Sequence, residues 1–236
     1  MRNVLTLTQK ELRTYFASPL AFVVTAAFLV VSGVFFAGIL IGSRQATMEY
    51  TFQNMAVILL LVSPVLAMRL LSEEQRSGTI ELLLTSPVRE IEVVLGKFLA
   101  SLGLLIVMLG FTLYYVLLLT HFGTPDPGPI LSGYLGMILL GASFLAIGLF
   151  ASSLTANQVV AAFLTIAILL ILWVLEALSS MFGSSASGVL NYLSMSNHLT
   201  DFTKGVIDTK DVVYFLTLIV ACLFLAIRSL EARRWR

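Results

Sequence analysis

Residues 52–87 read FQNMAVILLLVSPVLAMRLLSEEQRSGTIELLLTSP. An apolar run from Phe52 to Leu71 passes directly into a stretch that gathers Glu73, Glu74, Arg76 and Glu81. A helix needs about 20 mostly apolar residues to cross the hydrocarbon core of a bilayer, and the run has that length. The rest of the chain agrees with a membrane setting. Its 236 residues are 58% hydrophobic and 11% charged, with a mean hydropathy of +0.99. Soluble domains carry about 25% charged residues, so this much apolar surface needs lipid around it.

Five further runs qualify on the same ground: Leu20–Gly42, Val93–Thr120, Leu131–Leu154, Val159–Leu178 and Val212–Leu230. The expected fold is an all-α membrane protein with six transmembrane helices. The Val93–Thr120 run exceeds what a bilayer requires, so its first turns are expected to project into water. No cleavable signal is read at the start, because charges interrupt the apolar residues of MRNVLTLTQKELRTYF. That opening predicts an amphipathic helix over residues 1–18, lying in the membrane interface. Asn3, Thr6, Lys10 and Arg13 fall on one stripe, Leu5, Leu12, Tyr15 and Phe16 on another, and Pro19 ends the helix.

Lys and Arg in the short connections orient such a chain. Six spans put both termini on one side. That side holds Arg2, Lys10, Arg13, Arg69, Arg76, Arg89, Lys97, Arg228, Arg233, Arg234 and Arg236, while the other holds Arg44, Lys204 and Lys210. The split of eleven against three makes the termini and the Glu73–Glu81 stretch cytoplasmic. On the outer side, HFGTPDPGP at 121–129 predicts a turn-rich loop, since its three prolines and two glycines oppose helix. Residues 179–211 form the last outer connection. Its first part carries no Asp, Glu, Lys or Arg until Asp201, which suits a re-entrant or interfacial helical pair better than a solvated loop.

The cytoplasmic stretch 72–92 is richer than a connection requires. Ser72 with Gln75 has the spacing of a capping box. Gly78 permits a sharp change of direction. Thr79 then caps a second short helix in which Ile80, Leu83 and Leu84 share a face. Pro87 ends it, and Ser86-Pro87 opens the next helix, with Glu90 and Glu92 in its first turns. An apolar knob ringed by carboxylates on the water side fits a groove on a soluble partner.

Catalytic motifs are missing. The chain has no HExxH, CxxC, GxSxG or GxxxxGK[ST], its two histidines are His121 and His198, and Cys222 lies alone in an apolar run. Glu176 stands near the outer end of the fifth span, with Trp173 marking the interface. Gly38/Gly42 and Ala142/Ala146 are small-residue pairs suited to close helix packing. These features describe a transport or anchoring subunit and not an enzyme.

SEEQRSGTIELLLTSPVREIEVVLGK, residues 72–97, resembles the cytoplasmic loop of ABC-2-type transporter permeases. KELRTYFASPLAFVV resembles their opening, and HLTDFTKGVIDTKDVVYFLTLIVACLFLAIRSLEARRW the end of the gliding-motility-associated branch. The resemblance covers nearly the whole chain and implies a single transmembrane domain over residues 1–236. It implies a dimer of such subunits, homo- or heteromeric, in the bacterial cytoplasmic membrane, exporting a substrate. Glu73, Glu74, Arg76, Gly78, Thr79, Glu81, Leu82 and Leu83 match the coupling-helix motif that engages a separate ABC ATPase, where ATP and Mg bind. This chain itself holds no cofactor or metal. Lys10 and Arg13 lie in the matching interfacial helix. The segment with Gly183, Gly188 and Tyr192 matches re-entrant helices that cap the pathway. The branch also implies an accessory partner with a periplasmic domain.

Two other functions bear on the same residues. A membrane anchor that links an ATPase to a periplasmic partner, passing force without transport, would use the same loop. An ion-coupled carrier would need ionisable groups at mid-membrane, which the runs lack. Nothing in the composition points to nucleic acid.

Overall fold

The structure, a computed structural model, describes residues 2–43, 45–79, 89–179 and 184–234. Among these the chain is helical with short connections. α1 spans Arg2–Ala17, α2 Pro19–Ser43, α3 Glu49–Ala67 and α4 Ser72–Ser77. α5 spans Glu90–Phe122, α6 Pro127–Leu154 and α7 Gln158–Ser179. α8 is Ser184–Leu193, α9 Met195–Thr203 and α10 Thr209–Arg234. Six segments are long and apolar enough to cross a membrane, each overlapping one of the expected runs. The chain is a multi-pass helical membrane protein.

α6 is the centre of the bundle. Of its most apolar stretch 78% is buried, against 22% in α2 and 17% in α7. Apolar surface left open on the outer helices is what lipid solvates. α6 reaches its neighbours through small residues, because packing inside a membrane depends on close van der Waals fit. A side chain at Gly133 would collide with the Phe52 ring of α3, and one at Gly136 with Phe202 of α9. At Gly141 it would strike Leu105 of α5, and at Gly148 the Ala67 Cβ of α3. Ala142 and Ala146 are buried in the same helix, as their spacing suggested. Gly38 and Gly42 of α2 face open space instead, so that pair packs against nothing among the described residues.

α6 begins earlier than its sequence predicts. The turn-rich loop expected at 121–129 is largely helix: α5 continues to Phe122 and α6 starts at Pro127. Prolines in a first helical turn give up only N–H groups that have no helical partner. The Asp126 side chain caps this turn, accepting from the Gly128 N–H at 3.0 Å.

α5 has 33 residues. At 1.5 Å per residue it is about 50 Å long, roughly 20 Å more than the hydrocarbon core. α1 lies along this excess. Asn3 bonds Glu92 at 3.2 Å, Leu7 sits over Gly96, and Leu12 over Gly103. The contacts advance in step, so α1 runs beside the opening turns of α5. Val4, Leu7, Thr8, Glu11, Leu12 and Tyr15 are its half-buried face. The stripe read from the sequence is corrected in part. Leu12 and Tyr15 pack inward, but Leu5 is 69% exposed and Phe16 44%. The reason is that α5, reached through Gly96, selects the packed face.

At the far end of the bundle the connection before the last span forms two helices, α8 and α9, so the helical part of that expectation holds. α9 ends in a Schellman turn. Gly205, at φ +92, lets Val206 N–H reach the Asp201 carbonyl at 3.0 Å, while Gly205 N–H bonds Phe202 at 3.2 Å.

Gly148→Val is expected to cost about 1–3 kcal/mol through forced separation of α3 and α6, whereas Gly38→Ala is expected to be neutral or slightly stabilising. Thermal unfolding of the purified chain in detergent measures both.

Candidate functional site

The end of the bundle that carries both termini holds a dense polar joint. It is built where α3 gives way to α4. α3 ends at Ala67, and residues 68–71 form tight turns. The Leu71 and Ser72 N–H groups are buried there and no longer fit a helical ladder. Ser152 of α6 takes both, its hydroxyl oxygen accepting at 3.0 Å and 2.9 Å, and it donates in turn to the Met68 carbonyl at 3.1 Å. One hydroxyl thereby satisfies three backbone groups.

The capping box expected from Ser72 and Gln75 is not formed. Leu71 occupies the cap position, and the Ser72 hydroxyl donates back to the Met68 carbonyl. Gln75 turns to α6, donating from Nε2 to the carbonyls of Ser153 at 2.9 Å and Ser152 at 3.3 Å. Those carbonyls belong to the last turn of α6, which has no helical donors for them. Ser229 of α10 also donates to Ser153, at 3.2 Å. α4 is thus bolted to the base of α6 through side chains that the local sequence offered as its own cap.

The carboxylates of α4 go to different partners. Glu73 forms a two-point pair with Arg69, at 2.8 Å and 2.9 Å, on the exposed side. Such surface pairs contribute about 0.5 kcal/mol. Glu74 turns inward. Its Oε1 lies 2.8 Å from Lys97 Nζ, and Glu11 Oε1 of α1 approaches the same ammonium at 3.2 Å. The Lys97 side chain is only 6% exposed. A buried ammonium demands compensation, and here two helices supply it. Lys97 therefore ties α1, α4 and α5 at a single atom. Tyr15 closes the seam from α1. Burial, and then the Glu11 charge, push its phenol well up from the ordinary value, so it stays neutral.

α4 ends at Gly78, whose φ of +73 is the left-handed turn expected there. Arg76 and Thr79 are exposed, and the Thr79 hydroxyl pairs with that of Ser77 at 2.8 Å. Glu81, Leu82 and Leu83, with the expected short helix and the Ser86-Pro87 start, fall at 80–88, outside the described residues. α5 begins at Glu90. Glu92 accepts from the Arg89 N–H at 3.1 Å, which closes its first turn. Lys10 and Arg13 lie on the exposed face of α1.

The far end has its own polar cluster. His198 of α9 is buried between two acceptors, Asp211 Oδ1 at 2.6 Å from Nδ1 and the Tyr192 carbonyl at 2.8 Å from Nε2. Tyr214 stacks on its ring at 4.0 Å between centroids and donates to the Leu193 carbonyl at 2.7 Å. This clasp joins α8, α9 and α10. Of the residues singled out in the outer segment, Tyr192 is exposed and meets His198 edge-on, Gly188 is exposed with open space around it, and Gly183 lies outside the described residues. Lys210 bridges Asp201 and Asp208, and hydrogen bonds from the Lys210 N–H and side chain hold the Asp208 carboxyl below its usual range. Glu176 lines a cavity of about 340 Å³ with Gln53, Trp173, Ser196 and Thr200.

Glu11, Lys97, Ser152 and the His198–Asp211 pair were not singled out as site residues from the sequence. For Lys97 a signal existed: a lysine a few residues inside an apolar run needs a carboxylate, and Glu11 sits among the apolar residues of α1.

The fold and its two polar ends define a multi-pass membrane protein with a braced helix projecting at its base. The sequence matches the ABC-2 family transporter proteins over residues 5–235, and the chain belongs to that family. It is thus a permease subunit of an ABC transporter. No curated protein matches it.

Ser152→Ala strands two buried N–H groups and is expected to destabilise by roughly 2 kcal/mol. Ser153→Ala removes a hydroxyl that, among the described residues, bonds only the Phe150 carbonyl of its own helix, and should leave unfolding nearly unchanged. His198→Ala leaves Asp211 buried and alone, and a loss of about 3 kcal/mol is expected in the same thermal assay.

Proposed function

We propose that this chain is the membrane subunit of an ABC exporter that couples ATP hydrolysis on a separate ATPase to movement of a substrate through a dimer of permeases. ATP and Mg bind the partner, and α4 with residues 80–88 is the coupling element seated in the ATPase. In this reading Glu73, Glu74, Arg76, Gly78, Thr79, Glu81, Leu82 and Leu83 face or position that contact. Residues 1–236 act as one transmembrane domain in the bacterial cytoplasmic membrane, with both termini cytoplasmic. The eleven-to-three division of Lys and Arg supports the orientation. An accessory protein with a periplasmic domain would meet α8 and α9.

The observation that carries the reading is the buried Lys97 ammonium held by Glu11 and Glu74. A loop that only connected two spans would need no such anchor. Displacing α4 along with its ATPase groove would pull on α5 and α1 through Lys97, and on α6 through Ser152 and Gln75. The filled interior around α6 favours a pathway between two copies over one within a subunit.

With the ATPase co-purified and reconstituted, Lys97→Met and the double variant Glu74→Ala plus Glu81→Ala are expected to lower permease-stimulated ATP hydrolysis by about tenfold, within the usual range of site-to-site coupling. The complex should still assemble with Lys97→Met. Unchanged stimulation in both variants would remove the coupling role.

A further inference from the structure

We propose that the His198–Asp211 pair is a proton-operated latch: it holds the last turn of α8 while the His198 ring carries a proton on both nitrogens, and releases that turn when one proton is lost. The latch does not rest on the transport function proposed above.

The last carbonyls of a helix have no helical donor. In α8 three successive ones are taken by side chains of other helices. Asn197 of α9 donates from Nδ2 to the Asn191 carbonyl at 3.4 Å, His198 from Nε2 to Tyr192 at 2.8 Å, and the Tyr214 hydroxyl of α10 to Leu193 at 2.7 Å. Elsewhere α8 packs mainly on α7. Its hold on α9 and α10 therefore runs through these three donors. Of the three, only the histidine is of a kind that changes its donors near neutral pH.

The ring is bound on both sides. A carbonyl only accepts, so Nε2 must carry a proton. Nδ1 lies 2.6 Å from Asp211 Oδ1, in a pair whose side chains are 3% and 0% exposed. Asp211 Oδ2 is buried and has no hydrogen-bond partner among the described residues, so the carboxylate depends on the ring for its compensation. A neutral imidazole has one N–H and one bare lone pair, which it would turn on either the carbonyl or the carboxylate. The imidazolium donates to both. Tyr214 lies flat against the ring at 4.0 Å between centroids, a face that favours a cation. Tyr192 of α8 and Phe215 of α10 meet the ring edge-on. Lys210 bridges Asp201 and Asp208, and its charge also acts on Asp211, favouring the ionised carboxylate. α6 packs on α9 and carries no Asp, Glu, Lys or Arg, and its Tyr134 turns to Thr112 and Phe52. Glu176 of α7 and Gln53 of α3 face the cavity they share with Ser196 and Thr200.

Once α8 swings away, Nε2 meets water, which donates as readily as it accepts, and the ring can give up its proton. Below the ordinary histidine range, about pH 6.5, the closed and opened forms both hold the proton, and opening is indifferent to pH. Above it opening releases one proton, so the latch weakens as pH rises, by up to about tenfold per pH unit.

The full chain in lipid nanodiscs tests this without any partner. His121→Gln, at an exposed position, leaves His198 as the one histidine for 15N labelling. At about pH 7.5, where a free histidine is roughly nine-tenths neutral, both ring nitrogens of His198 should be protonated by NMR. Amide hydrogen exchange at residues 189–193, corrected for intrinsic rate, should lose about tenfold or more in protection between about pH 6.5 and 9, while α6 loses none. His198→Gln keeps a donor for the Tyr192 carbonyl but does not titrate, and should remove that pH dependence. Asn197→Ala should lower protection equally at every pH. A ring nitrogen bare of its proton at about pH 7.5 overturns the latch. So does protection of α8 that stays level as pH rises, or that falls equally in His198→Gln. Should His198→Gln not fold, the two measurements with His198 in place decide the matter.

Discussion

A lysine ammonium cannot be left uncompensated at 6% exposure, and the basal half of this protein is arranged around that constraint. Lys97 lies on α5 next to Gly96, where α1 approaches most closely. The two carboxylates that neutralise it come from separate helices earlier in the chain, Glu11 from the first helix and Glu74 from the helix after the second span. Apolar packing could not fix α4 in this way. Lipid tails compete with leucines for apolar surface, so within a membrane the positions of helices depend on close fit and polar contacts. At the boundary between lipid and water the ion pair is sheltered enough to be strong and wet enough to form. The location suits the coupling role proposed for α4, which asks that the helix be held and yet be reachable by a soluble partner.

The second support is the backbone chemistry at Leu71 and Ser72. A span that turns sharply into a second helix exposes N–H groups with no local acceptor. Ser152 answers this with one oxygen, and Gln75 repays α6 by covering its terminal carbonyls. The exchange is reciprocal: the break after α3 is satisfied by the end of α6, and the end of α6 by the helix after the break. Neither terminus is complete without the other. The fold therefore couples α4 to the most buried helix of the bundle by hydrogen bonds and to α5 by charge.

The sequence made the architecture legible because bilayer thickness imposes a length on apolar runs. All six spans were visible, as were the break at Pro19 and the turn at Gly78. The lack of charge before Asp201 also pointed to helix in the segment before the last span, where α8 and α9 form. What stayed hidden depends on pairs distant in the chain. Ser152 sits in a run of small residues, GLFASSLT, where nothing local distinguishes it from Ser153. The false capping box at Ser72 and Gln75 had correct spacing, but the competing acceptor lies about eighty positions on, in α6. Proline counting failed at 127–129 because its meaning depends on position within the helix, and the first turn tolerates it. His198 looked like an outer-loop histidine until α10 brought Asp211 to it.

α6 connects the two polar ends. At its base Ser152 and Ser153 receive α4 and α10, and near its start the Ser132 hydroxyl donates to the Phe202 carbonyl of α9 at 2.7 Å, with Gly136 under the Phe202 ring. Its 28 residues make a rod of about 42 Å. The glycines that bring α3, α5 and α9 within van der Waals contact leave no slack along its sides. A rod held this tightly transmits displacement by moving with its neighbours, since close-packed interiors resist compression. Motion imposed at α4 then has little room to be absorbed inside the bundle. It must emerge at surfaces where the chain is not interlocked, and these are the open faces of α2, α7 and α10. The coupling proposed for α4 would accordingly act at the boundary between this subunit and what lies beside it.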